Sequence, residues 1–379
     1  LESNQTETTY DVIVVGAGPA GAVAARGIAA AGARTLLVDK AKFPRWKVCG
    51  CCLNGAALQT LASIGLGDVR KRLVGDRRLR RACFSAFGSS ATVPLDAGIA
   101  VSREQLDCLL INEAVAAGAG FQQETTAKWL GESDDGARVL LTTDEDAVQA
   151  SCRVVIAADG LAASFTRGVQ GAQQHEANGS RIGAGATVPR WPHGFEHDVI
   201  YMAIGAGGYV GLVGLEQEQV ANLAAAFDVD FVKSCGGLAH AAATILGQSG
   251  LPPIDGIRTA RWHGTPLLTR SQSLPASNRV LLVGDAASYV EPFTGEGMAW
   301  AIASGAAVVD YACATLEASS GDGQQQWMRA RHALLRQRMR HCQSIARALR
   351  YPSAVKLGIR LLGAFPVLAR PYLRGLASA

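Results

Sequence analysis

The apolar run Tyr10–Val15 (YDVIVV) leads directly into Gly16-Ala17-Gly18-Pro19-Ala20-Gly21, and this junction constrains the fold more than any other stretch of the chain. An unbroken run rich in β-branched residues predicts a strand buried on both faces. The Ala-rich segment after it predicts a helix to about Ala31, stopped by Gly32. Ala33–Val38 (ARTLLV) predicts a second strand, with Asp39 at its C-terminal end and Lys40 beyond it. Strand, glycine turn, helix, strand and acid within roughly 30 residues form the parallel unit that binds a dinucleotide.

Each position has a physical task. Gly16 permits the tight turn, and Gly18, followed by Pro19 and Ala20, lets backbone approach a pyrophosphate. Gly21 lets the helix pack on the strand, and the helix N-terminus offers free N–H groups to phosphate oxygens. Asp39 can accept hydrogen bonds from ribose hydroxyls.

Two later runs end in the same way. Arg153–Ala158 (RVVIAA) ends in Asp159-Gly160, and Arg279–Val283 (RVLLV) ends in Gly284-Asp285. Each aspartate reads either as a helix N-cap or as a ligand contact at the carboxyl edge of the sheet. Asp285 is expected to precede a helix. Val101-Ser102-Arg103 opens a further helix carrying Gln105, Leu106 and Asp107. In Tyr289–Met298, Pro292 stiffens a turn, Gly295 and Gly297 let backbone lie against a flat ring, and Glu296 and Met298 flank them before the next helix. That helix N-terminus would favour negative charge on the ring.

With these motifs in place, the chain resembles the FAD-dependent oxidoreductases of the p-hydroxybenzoate hydroxylase superfamily, especially the geranylgeranyl reductase-like branch. The resemblance runs to about Ala307. It implies that Gly16, Gly18, Pro19, Ala20, Gly21, Asp39 and Lys40 hold the ADP half of FAD. It implies that Arg103, Asp159, Gly160, Gly284 and Asp285 contact the pyrophosphate and ribityl chain. Pro292, Gly295, Glu296, Gly297 and Met298 would line the flavin ring. A Lys-x-Cys-Gly stretch beside the ring is matched by Lys47, Cys49 and Gly50. Cys49 reads as a modest acid/base or as a small polarizable filler, and Cys51 and Cys52 as filler. No metal is expected.

Ser180–Asp230 alternates apolar and polar residues, which predicts an antiparallel wall over the ring, with Arg258–Pro266 as its returning strand. Geranylgeranyl reductases carry Tyr-x-Trp-x-Phe-Pro on this wall. Here Tyr209 fits that pattern, whereas Gly211 and Val213-Gly214 depart from it and leave a roomier pocket. A halogenase motif is absent. Of the histidines, only His263 falls on the expected wall.

The chain carries 36 Lys and Arg against 32 Asp and Glu, a formal charge of +4 that hides an asymmetry. Trp327–Arg374 contains Lys and Arg but neither Asp nor Glu, so the remainder is acidic. Apolar residues at helical spacing from Trp327 to Leu349, with arginines between them, predict a basic amphipathic helix. Its apolar stripe either packs on the FAD domain or meets a membrane surface or an acidic carrier protein. Nucleic acid is not expected. No apolar run is long enough to span a bilayer. Leu1–Thr9 lacks a signal-peptide pattern, and nine cysteines in no regular framework fit a reducing compartment. The expected location is therefore cytoplasmic, peripheral at a membrane if the tail binds one.

These readings combine into an α/β fold. Segments 8–80, 100–178 and 277–322 form a discontinuous Rossmann-like FAD domain of the glutathione reductase type. Segments 81–99 and 179–276 form an antiparallel β-sheet substrate domain, and 323–379 a basic C-terminal helical extension. The expected activity is NAD(P)H-dependent hydroxylation of a hydrophobic phenolic or polyketide-like molecule. The alternatives are reduction of prenyl-lipid double bonds and a non-catalytic flavin sensor.

Overall fold

The computed structural model describes residues 8–73, 77–95, 97–133, 136–215, 220–275, 279–291, 293–317 and 323–369. Pro292 and the segment boundaries at 276–277 and 322 lie outside them.

Strand Thr8–Val15 sits near the centre of a seven-stranded sheet. It runs parallel to Thr35–Val38 on one side and to Ala147–Ala157 on the other. Gly120–Gln122 and Val280–Leu282 extend the parallel part, while Gly136–Thr142 and Thr126–Ser133 add an antiparallel meander. Val12, Ile13 and Val14 are fully buried, as a strand covered on both faces requires.

The helices are α1 (Pro19–Ala30), α2 (Gly55–Ser63), α3 (Val69–Arg72), α4 (Arg103–Ala116), α5 (Val229–Cys235), α6 (Leu238–Ser249), α7 (Gly297–Glu317), α8 (Gly323–Ala348) and α9 (Pro352–Ala364). Ser102 caps α4, its hydroxyl accepting from Gln105 N at 3.2 Å. By length and composition α7 could cross a bilayer, against the sequence expectation. It instead packs among α1, α2 and α8, with Ile302, Ser304 and Val308 fully buried.

The wall is a second seven-stranded sheet in the order His263–Leu267, Ile182–Val188, Ala221–Phe227, Gly208–Gly214, Val199–Gly205, Arg81–Ala86, Ser89–Pro94. It is antiparallel except that Val199–Gly205 runs parallel to Arg81–Ala86. Its far face packs on α6 through Ile245 and Leu246, an element the alternation did not predict. The returning strand is shorter than expected: Arg258–Trp262 passes from a turn into irregular chain, and pairing begins at His263. A small sheet of Cys52–Asn54, Gly98–Ala100 and Arg77–Arg78 bridges the two halves.

α8 follows the predicted basic amphipathic pattern, burying Trp327, Leu335 and Cys342. The Trp327 indole donates to Leu282 O at 2.8 Å, which ties the extension to the FAD-type sheet.

Candidate functional site

A cavity of about 910 Å³ runs from the glycine turn to the inner face of α9. Its head is fixed by backbone geometry. Gly16 sits at φ +106°, and a side chain there would collide with Ala158 O at 2.3 Å. A Cβ on Gly21 would fall 1.9 Å from Gly16 O, so α1 reaches the strand only because both residues are glycine. Asp39 holds the turn from outside: its Oδ2 accepts from Ala17 N at 2.8 Å and its Oδ1 from Ala41 N at 2.9 Å.

Around Gly18 the side chains are cationic. A Cβ there would lie 3.5 Å from Arg103 Nη2 and 3.9 Å from Arg45 Nη2. Arg103 forms a bidentate pair with Asp107, with Nε and Nη2 each 2.8 Å from a carboxylate oxygen. Asp107 is fully buried and Arg103 nearly so. Arg45 Nη2 lies 3.6 Å from both Asp39 and Asp107. Its Nε is buried with no hydrogen-bond partner among the described residues. Lys47 is pushed below the ordinary lysine range by burial and by the charges of Arg103 and Arg45. Two arginines flank Gly18, the desolvated Lys47 stands over Gly160, where a Cβ would lie 3.2 Å from its Nζ, and one arginine nitrogen lacks an acceptor among the described residues. This cradle fits the pyrophosphate of a dinucleotide.

The two fingerprint aspartates differ. Asp159 Oδ2 accepts from Phe165 N at 2.8 Å, and Oδ1 accepts from Thr166 Oγ1 at 2.9 Å. Its carboxylate is therefore taken up by the following turns, close to the capping alternative, although the residue still lines the cavity. Asp285 makes no comparable local bond among the described residues. It faces the cavity from a single 3₁₀ turn, Gly284–Ala286, not from the head of an α-helix as expected. Burial raises its pKa, opposed by Lys47, Arg103 and Arg270.

Farther along lies the Lys47–Cys52 loop, pinned to the wall where Asn222 Nδ2 donates to Cys49 O at 2.9 Å. Cys49 Sγ accepts from Cys51 N at 3.4 Å. The hydrogen bond from the Cys51 thiol, aided by the charge of Arg103, lowers the Cys49 pKa to about 6. The same bond, together with burial, raises Cys51. Burial pushes Cys52 up to about 12. Cys49 and Cys51 thus titrate as a pair, with Cys49 the more acidic partner. Among the described residues no three His, Cys, Asp or Glu converge as a metal centre would require.

Opposite stands Tyr209, buried, its ring edge-on to Phe293 at 5.0 Å and 5.9 Å from the Arg181 guanidinium. Phe293 in turn meets Phe84 at 5.7 Å. Arg181 is 1 % exposed and paired to Glu291 at 2.9 Å, which anchors the Glu291–Gly297 loop to the wall. Burial raises the Glu291 and Glu296 carboxyls, with Arg181 opposing at Glu291.

Gly16, Gly18, Pro19, Ala20, Asp39, Lys40, Lys47, Cys49, Gly50, Arg103, Asp159, Gly160, Tyr209, Asp285, Gly295, Gly297 and Met298 all line the cavity. Others do not. Gly21 and Gly284 serve packing, and Gly284 would clash with Ala20 at 2.9 Å if it bore a Cβ. Glu296 turns away from the cavity, accepting from Cys342 Sγ of α8 at 3.2 Å. Pro292 lies outside the described residues. His263 is exposed and rests on Trp46 at 5.0 Å. Sequence reasoning missed Arg45 and Asp107, although the i,i+4 spacing of Arg103 and Asp107 marks a helical ion pair. It also missed the apolar tail of the cavity: Phe84, Ile200, Met202, Val355 and Ile359.

The FAD binding domain family matches residues 9–235, more than half of the chain. Menaquinone reductase of Mycobacterium tuberculosis is 36 % identical over 42 % of this chain, and the match spans 40 % of that protein's length. Geranylgeranyl diphosphate reductase of Rhodobacter capsulatus is 30 % identical, covering 81 % of this chain and 76 % of its own. Among solved structures, a geranylgeranyl bacteriochlorophyll reductase-like protein from Thermoplasma acidophilum superposes with a TM-score of 0.76 at 21 % identity, covering 94 % of this chain and 92 % of that one. The p-nitrophenol 4-monooxygenase of Pseudomonas putida superposes with 0.78 at 15 % identity, covering 98 % and 99 %. These last two likenesses concern the fold. On the family match and the Rhodobacter relative, the chain belongs to the FAD-dependent oxidoreductases of the p-hydroxybenzoate hydroxylase superfamily, in their geranylgeranyl reductase-like branch.

Proposed function

We propose that this FAD-dependent oxidoreductase reduces isolated double bonds in a long prenyl-chain lipid, with NAD(P)H as reductant. The observation that carries this reading is the course of the cavity. Beyond the cationic cradle it passes Cys49 and Tyr209 and continues between the aliphatic wall and α9, where Met202, Ile204, Val355 and Ile359 supply the lining. Such a passage suits a flexible hydrocarbon.

Reduced FAD, when bound, supplies the hydride. Arg45, Arg103 and Lys47 would hold its phosphates, and Asp285, on the same cavity wall, would accept from the hydroxyls of its sugar-alcohol chain. Tyr209 and Phe293 confine the substrate from the wall side. Cys49, the more acidic thiol of the Cys49–Cys51 pair, stands at the cavity wall and when protonated would give its proton to the carbon that does not receive hydride, Cys51 then donating its hydrogen bond to the Cys49 thiolate left behind. Relatives named for reduction of geranylgeranyl and menaquinone substrates support the reading.

Hydroxylation of a phenolic ring is the second reading. It is favoured by Gly211, which lines the cavity and leaves width beside Met202. The deciding experiment mixes chemically reduced enzyme with geranylgeranyl diphosphate under argon. Substrate-dependent flavin reoxidation, with product mass rising by one H₂ per bond, is expected. Reoxidation that needs O₂, with oxygen-18 from labelled O₂ in the product, would replace reduction by hydroxylation. Failure to turn over any substrate offered, under either gas, would favour a flavin-binding sensor.

A further inference from the structure

α9 has two apolar faces. Val355 and Ile359 point inward and are buried against the cavity. Leu357 and Leu361 point outward at 59 % and 43 % exposure, and Phe365, just past the helix end, is 57 % exposed. A helix closing a soluble cavity needs only its inner face apolar, so exposed large side chains on the outer face require another explanation. Beside them on the helix surface stand Lys356 and Arg360, both exposed. Across residues 323–369 there is neither Asp nor Glu, so α8 and α9 themselves contribute only positive charge to this surface.

We infer that the outer face of α9 docks on an anionic lipid bilayer. Leu357, Leu361 and Phe365 enter the boundary between headgroups and acyl chains, and Lys356 and Arg360 pair with lipid phosphates. The charge selects the occupant: a second copy brought face to face would set cation against cation, whereas an anionic surface complements it. Docking places the apolar end of the cavity at the bilayer, a few side chains from the acyl layer. The surface does not depend on which bond the flavin acts on, and its test requires no turnover.

The test is flotation of the full, FAD-loaded chain with phosphatidylcholine vesicles, with and without phosphatidylglycerol. Binding is expected only to the phosphatidylglycerol vesicles and is lost at high salt. Lys356→Gln with Arg360→Gln should weaken it about thirtyfold, from roughly a fivefold contribution per cation. Leu357→Ser, Leu361→Ser and Phe365→Ser together should abolish it. Flavin absorbance and circular dichroism should be unchanged in both variants. Absence of flotation with either vesicle, or undiminished flotation by both variants, overturns the proposal. So does a dimer in light scattering that the serine variant dissolves, which would assign the face to a second copy.

Discussion

The two ends of the cavity are built by different means. At the cradle, position is enforced by backbone that no side chain can enter and by ion pairs that are almost fully buried: Gly16, Gly21, Arg103 and Asp107. At the α9 end, the boundary is a set of aliphatic side chains, among them Met202, Ile204, Val355 and Ile359. The first kind of wall tolerates almost no change, because a clash or an orphaned charge has no cheap relaxation. The second can be reshaped methyl by methyl, at the smaller cost of packing. The cradle end is thus rigidly specified, and the α9 end is free to diversify.

The largest expected effect falls on the cradle. Gly21→Ala puts a Cβ 1.9 Å from a carbonyl oxygen, so it should cost more than about 4 kcal/mol and yield little soluble yellow protein. Recovery of wild-type flavin content would break the contrast. Next comes Arg103→Met, which removes both short hydrogen bonds to the fully buried Asp107 carboxylate and leaves it only the 3.6 Å contact with Arg45. Thermal or urea unfolding of the FAD-free protein should show a loss of about 3–5 kcal/mol.

A third test uses the thiols between the two ends. The Cys49 thiolate forms as pH rises through about 6, so iodoacetamide labelling of the FAD-free protein should reach half its maximal rate there. Cys52 should remain silent, its thiol being pushed up to about 12. The matching contribution of Cys49 to stability is complete above the ordinary thiol pKa and is lost as pH falls through about 6. Peptide mapping that finds Cys52 labelled first would reverse the assignment. The smallest effect belongs to the wall. Gly211→Ala adds a Cβ 3.2 Å from the Met202 sulfur, a flexible neighbour. The KM for a long-chain substrate should change by less than about tenfold, and the FAD dissociation constant should not move.

The same contrast explains what could be read from the chain. Gly16, Gly18 and Gly21 were legible because steric necessity leaves a mark in residue type and spacing. The basic helix was legible because its apolar stripe repeats with the helical period. Asp159 and Asp285 looked alike, since the same side chain serves as cap or as ligand contact. What separates them is the presence of Phe165 N and Thr166 within reach of one and not the other. Arg45 was illegible because its site joins two carboxylates more than sixty positions apart in sequence, Asp39 and Asp107. The inner face of α9 was illegible because an apolar helix face does not reveal whether it covers a core or a cavity.

The central strand Thr8–Val15 pairs with Ala147–Ala157, which in turn pairs with Val280–Leu282. The glycine signature therefore sits in a sheet completed only by its last strand in sequence. Until about residue 285 has emerged, the glycine turn has no Asp285 facing it, and the apolar flank of Ala147–Ala157 lacks its neighbour. Cofactor capture is consequently a late event in the life of each chain, and the unfinished sheet is the interval in which a nascent molecule is most exposed to mispairing.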